Sequence, residues 1–143
     1  MVSKIKMRLA REESGFTLIE LLVVIVILGI LVAIAVPSYL SFRGKAANAA
    51  AQANTRSAIP AAESYYNDPA AGNNSYTAIT GAAIRTQAPG VDPSVTAGQN
   101  AAGDGYCVQD VASGSTYHYR GGVGGTAVIT TGVCPAATYA SVT

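Results

Sequence analysis

From Phe16 to Val36 the chain is apolar apart from Thr17, Gly29 and one carboxylate, Glu20, and this run limits what the rest can do. As a helix rising about 1.5 Å per residue it reaches roughly 31 Å, close to the roughly 30 Å hydrocarbon thickness of a bilayer. The segment is therefore long enough to cross a membrane. A lone acid inside such a span costs about 2.5–3.5 kcal/mol on insertion scales. Glu20 needs a cationic partner, and residues 16–36 contain no lysine or arginine. The counter-charge must come from elsewhere.

The residues around the acid form a motif: a small residue, Gly15, then Phe16-Thr17-Leu18-Ile19-Glu20, then a Leu/Val/Ile run that ends in Pro37-Ser38-Tyr39. This resembles the precursor of a type IV pilin or a related pseudopilin. The resemblance covers about the first third of the chain and fades to general layout beyond residue 66. It implies that a membrane prepilin peptidase cuts after Gly15 on the cytoplasmic side and methylates the new amino terminus at Phe16. It also implies that Glu20 pairs with the Phe16 ammonium of a neighbouring subunit. The partners that follow are identical or related pilin subunits in a helical homopolymer, the peptidase and methyltransferase, the assembly machinery of the cytoplasmic membrane, and lipid before assembly. No cofactor is implied.

Charge agrees with an anchored chain. Lys4, Lys6, Arg8 and Arg11 crowd ahead of the span, whereas the twenty residues after it hold Arg43, Lys45 and Arg56. That bias places the amino terminus in the cytoplasm and the bulk of the chain outside. A secretory signal is the plain alternative, with Ala33-Ile34-Ala35 as its small-residue site, but such apolar cores usually run about 7–15 residues, and Glu20 weighs against it. Only 12% of residues are charged and the net charge is +1, so bulk electrostatics favour neither a nucleic acid nor an acidic substrate.

Cys107 and Cys134 both fall in the part placed outside, where a disulfide persists, and pairing is expected. Two free buried thiols are the alternative. With the single histidine, His118, they fall short of a four-ligand zinc site. In the resembled family a disulfide commonly closes the carboxy-terminal loop of adhesive or motility pilins.

The expected architecture is α+β, a long amino-terminal helix packed on a small antiparallel β head. Residues 1–15 form the leader, 16–36 the transmembrane or filament-core helix, 37–66 its amphipathic half and 67–143 the head. Tyr39, Phe42, Ala46, Ala49 and Ala53 recur at spacings of three and four and mark an apolar stripe. Gly29, Pro37 and Pro60 weaken the helix, and a kink or opened turn is expected at Pro37, whose ring crowds the Ala33 carbonyl. By resemblance, the stretch between Gly29 and Pro37 loses helicity when a filament forms. Pro60 either kinks the helix, the favoured reading, or opens a new one. Asn67-Asp68-Pro69 ends it in a loop that contains the sequon Asn73-Asn74-Ser75. Residues 80–105 read as an ordered loop with one short strand at most. Tyr106–Val111, Thr116–Arg120 and Ala127–Thr131 are the candidate strands, and a Cys107–Cys134 bond would then clasp the two ends of the sheet.

Other chemistry has little support. His118 lies in Tyr117-His118-Tyr119-Arg120 without a nucleophile motif, so no catalytic residue is assigned. The same four residues could stack on single-stranded DNA, as in a DNA-uptake minor pilin, yet no wider basic field accompanies them. Gly121 to Gly125 lacks the lysine of a phosphate loop and reads as a turn. Asp92, Asp104 and Asp110 lack calcium-loop spacing, so no metal is assigned. The function expected is a structural subunit of a type IV pilus-like filament, first in the cytoplasmic membrane and then in an extracellular fibre. A type II secretion pseudopilin is the alternative.

Overall fold

The computed structural model describes residues 15–112 and 115–140. The expected leader therefore lies, except for Gly15, outside the described residues. The chain divides into two compact units between Ser41 and Phe42. Its elements are α1 (Leu18–Asn67), α2 (Gly81–Gln87), β1 (Thr96–Asn100), β2 (Gly105–Ala112), β3 (Ser115–Gly122), β4 (Thr130–Thr131) and β5 (Tyr139–Ala140).

Helix α1 continues through Gly29, Pro37 and Pro60, so no opened turn interrupts it and Pro60 does not begin a new helix. Each proline removes one backbone donor, leaving the carbonyls of Ala33 and Arg56 without it, while the flanking turns keep theirs. Every residue of the first unit from Gly15 to Ser41 is exposed within this chain. A Cβ added at Gly29 would meet nothing nearby, so this glycine serves no packing contact inside the chain.

In the second unit the buried face of α1 is Ala51, Thr55, Ala58, Ala61, Ala62 and Tyr65. The expected stripe is corrected here, since Tyr39, Phe42, Ala46, Ala49 and Ala53 are all exposed. Alanines surround the helix at 46, 47, 49, 50, 51 and 53, so hydrophobic period alone cannot select a face there. Burial was decided by where the sheet lies. Ala58, Ala61 and Ala62, all at most 2% exposed, meet Val108, Ala97, Ile84 and Tyr106 in one core, and side chains that short let helix and sheet approach closely.

The sheet order is β4-β3-β2-β1-β5, with every neighbouring pair antiparallel. The β1–β4 run is a meander, and β5 returns to the far edge beside β1. Tyr106, Val108 and Asp110 of the central strand β2 face α1, and Cys107 and Gln109 face away. Tyr106 pairs across the ladder with Gly121, where a Cβ would overlap the Tyr106 ring; the glycine is needed for that close approach.

Two strand expectations change, at 127–131 and in the added strand β5. The strand expected at 127–131 shrinks to Thr130–Thr131, because Ala127 takes a φ of 54° and bends the chain before pairing starts. Within residues 80–105 the one short strand allowed for is β1, and the structure adds helix α2, opened by the Thr80 hydroxyl accepting from the Ala83 N–H at 3.1 Å. Strand β5 is held by Tyr139, 2% exposed.

Cys107 and Cys134 form a disulfide 27 residues apart in sequence. Cys107 lies on the central strand and Cys134 between β4 and β5, so the bond fastens the carboxy-terminal segment over the outer face of the sheet instead of clasping its ends. With Tyr139 the pair makes a second small core, and the Cys134 N–H donates to Gln109 Oε1 at 2.8 Å. Removing a cross-link around a loop of this length costs about 3.5 kcal/mol in chain entropy. Replacing both cysteines with alanine is expected to lower the denaturant-derived stability of the second unit by about that amount; a change below about 1 kcal/mol would show that packing alone holds the segment.

Candidate assembly interface

The apolar helix begins with a pair of residues that bind one another. The Thr17 N–H and hydroxyl both donate to Glu20 Oε2, at 2.9 and 2.6 Å, and the Glu20 N–H donates back to Thr17 Oγ1 at 3.3 Å. Thr17 sits just ahead of α1 and Glu20 in its first turn, so this is a reciprocal capping box. Thr-x-x-Glu ahead of an apolar run carries that signal in sequence, and the cap is a local role for Glu20 beside the intermolecular pairing that the resemblance implies. The cap turns the carboxylate toward Thr17. Both Thr17 bonds fall on Oε2, and among the described residues Oε1 accepts no hydrogen bond. Around it Phe16, Ile19, Val23 and Val24 line a shallow apolar depression of about 400 Å³ with Glu20 at its edge. Phe16 itself is 90% exposed. Gly29 and Pro37 lie farther along the same exposed helix.

A second polar arrangement, with no signal in the sequence, fastens the head onto α1. Glu63 projects into the core, where Oε2 accepts from the Tyr76 hydroxyl at 2.8 Å and Oε1 from the Tyr106 hydroxyl at 2.9 Å. The rings continue as a series, Tyr66 to Tyr76 at 4.8 Å, Tyr76 to Tyr106 at 4.6 Å and Tyr106 to Tyr119 at 6.0 Å between centroids. Farther down the helix Asn54 Nδ2 donates to the buried Asp110 at 2.8 Å, and the Thr55 hydroxyl bonds the Ala51 carbonyl at 2.8 Å. One carboxylate thus satisfies two phenols that are each at most 3% exposed.

The remaining candidates of the head are dispersed. His118 is buried at 8% exposure, with Nδ1 2.8 Å from the Gly132 carbonyl and Nε2 3.0 Å from the Thr130 hydroxyl. Its role is to hold β4 to β3, and it offers no face on which a base could stack. Asp92 binds Ser94, Asp104 binds Asn100 and Asp110 binds Asn54, so the three carboxylates are engaged separately. Among the described residues no group of three His, Cys, Asp or Glu side chains is placed to hold a metal ion. Gly121 to Gly125 closes β3 and turns, with Gly122 and Gly124 at positive φ.

Comparison with known proteins points the same way as the exposed helix. The family described as the prokaryotic N-terminal methylation motif matches residues 10–36. The type IV wide pilus major component PilA4 of Thermus thermophilus is 36% identical over 107 residues, 74% of this chain and 79% of that protein. The type IV major pilin protein PilA of Myxococcus xanthus is 37% identical over 65 residues, 43% of this chain and 30% of that protein. The type II secretion system core protein G of Pseudomonas aeruginosa is 43% identical over 58 residues, 41% of each chain. Against these last two the chain spans well under half of the relative's length. No solved structure matches. With the methylation motif on the apolar helix, an α+β head behind it, and likeness to PilA4 that runs through both, the chain belongs to the type IV pilin family.

Proposed function

We propose that the protein is the structural subunit of a type IV pilus filament, made as a membrane-anchored precursor, cut after Gly15, methylated at Phe16 and polymerised through α1. The observation that carries this reading is the fully exposed apolar face of residues 16–41, which nothing in the chain covers among the described residues. Among the described residues one helix, α1, is long and apolar enough to cross a membrane. Transfer of that surface from lipid into an equally apolar bundle changes little hydrophobic energy, so register has to be set by a polar contact. Glu20 is the carboxylate available for it, and the ammonium of Phe16 on the adjoining subunit is its partner. The amino terminus stays cytoplasmic until a peptidase and an assembly motor in the cytoplasmic membrane release and lift the subunit. The Gly29–Pro37 stretch, where packing is absent and a backbone bond is missing, is where the helix gives way as the fibre forms.

The likeness to the type II secretion core protein favours one other reading, a periplasmic pseudopilus. That likeness is confined to fewer residues than the match to PilA4, and the pilus is the better supported assembly.

Electron microscopy of surface fibres joined to amino-terminal mass spectrometry of their subunit tests the proposal. The expected subunit begins with methylated Phe16, and Gly15→Leu is expected to leave the precursor uncut and the surface bare. A fibre subunit that retains residues 1–15 would refute it.

A further inference from the structure

Among the described acids of the head Asp104 is exposed, whereas Glu63, Asp68, Asp92 and Asp110 are partly or wholly buried. Along α1 from Phe42 to Ala62 there are Arg43, Lys45 and Arg56 and no acid. Arg56 sits in a groove of about 340 Å³ whose walls are Gln52 and Ile59 of α1 on one side and Val128 and Ile129 on the other, with Tyr119 between them. Going up α1 is going down β2, since Asn54 bonds Asp110 and Glu63 bonds Tyr106. The turn that precedes β2, Ala101-Ala102-Gly103-Asp104, therefore lies toward the carboxy-terminal end of α1, beyond Glu63. Asp104 is exposed there, and Ala101 and Ala102 beside it are exposed and small.

From the helical and strand rises, Arg56 and Asp104 of one chain are separated along this axis by roughly 17 Å, too far for an ion pair. A second copy set beside the first and displaced by that distance along the same axis has its Asp104 level with the first copy's groove. The contact joins two different patches, so it does not close on itself and continues from copy to copy.

We propose that this groove receives the Asp104 turn of a second copy of the chain, with Arg56 pairing to its carboxylate and the small residues of the turn fitting between Ile59 and Val128. The proposal rests on the filament reading and names a contact in the head that the apolar helix does not supply. Arg56 is exposed, so exchanging it leaves the fold of the free subunit intact.

The test uses the full-length chain expressed with its assembly system, and fibres recovered by shearing. Arg56→Glu is expected to lower fibre yield about tenfold, the scale of a close charge pair at an interface, and Asp104→Arg to do the same. The double exchange Arg56→Glu with Asp104→Arg is expected to recover most of the yield. Normal yield from Arg56→Glu, or a double exchange no better than the single ones, would overturn the pairing. A second readout does not depend on yield: fibres of the Arg56→Lys variant treated with a zero-length carbodiimide should give covalent dimers, which Asp104→Asn removes. Dimers that persist with Asp104→Asn would overturn it too. If the unaltered chain gives no fibres, the filament reading fails and takes the groove contact with it, whereas fibres unaffected by the exchanges sink the groove alone.

Discussion

Glu20→Gln is expected to cut fibre yield as deeply as Glu20→Ala, although the two substitutions differ in what they leave behind. Glutamine accepts from the Thr17 N–H and hydroxyl as glutamate does and preserves the capping box. Alanine removes it. If the carboxylate's contribution to assembly is its charge, set against a neighbour's Phe16 ammonium in an apolar bundle, either change strands that ammonium. An unpaired charge left in such a place costs about 3–5 kcal/mol, roughly a hundredfold or more in the equilibrium for adding a subunit. The cap alone amounts to about 1 kcal/mol. Thr17→Ala should accordingly reduce yield only modestly, with the precursor inserted in the membrane in every case. Quantified fibres from Glu20→Gln at normal abundance would show that capping, and not charge, is what Glu20 provides.

Glu63→Ala should be the most damaging single substitution in the head. It leaves the hydroxyls of Tyr76 and Tyr106 buried without an acceptor, each costing about 1–3 kcal/mol. The sum, about 2–6 kcal/mol, corresponds to a fall in melting temperature of roughly 10–30 °C for a unit of this size. Tyr106→Phe should cost less, because the carboxylate keeps Tyr76 as a donor. Glu63→Gln should fall between them, since its amide can accept from one phenol and donate to the other. Equal melting for Glu63→Ala and the native chain would show that the ring packing carries the contact by itself.

The same pair sets a pH dependence. Burial first, and then the bond to Glu63, pushes both hydroxyls well above their ordinary value of 10.0. A group whose folded value is raised contributes stability that is complete below its unfolded value and is lost above it. Melting temperature should hold steady through neutral pH and fall once the pH exceeds about 10, and Tyr106→Phe should flatten that decline.

Much of this protein can be read along the chain. The 16–36 run marks a helix long and apolar enough to cross a membrane, and the acid within it and the basic residues ahead of it stand out with it, because span length, the cost of a charge in lipid and flanking bias are local quantities. The paired strands β2 and β3 were legible through alternating β-prone residues between turns. The capping box is equally written in the Thr-x-x-Glu spacing of Thr17 and Glu20.

What the order of residues left undecided is which surfaces meet. Six alanines wrapped around one stretch of helix are equivalent until a sheet covers Ala51, Ala58 and Ala62 and leaves Ala46, Ala49 and Ala53 in the open. A glutamate at position 63 looks like any solvated helix acid until Tyr76 and Tyr106, distant in sequence, close over it. The cysteine pairing was foreseeable from compartment and number, yet its place on the central strand depended on a ladder that folds β5 back beside β1. Periodicity and spacing are properties of neighbours along the backbone, whereas burial of a particular face and satisfaction of a particular carboxylate depend on contacts between remote segments, and those exist only once the chain has closed on itself.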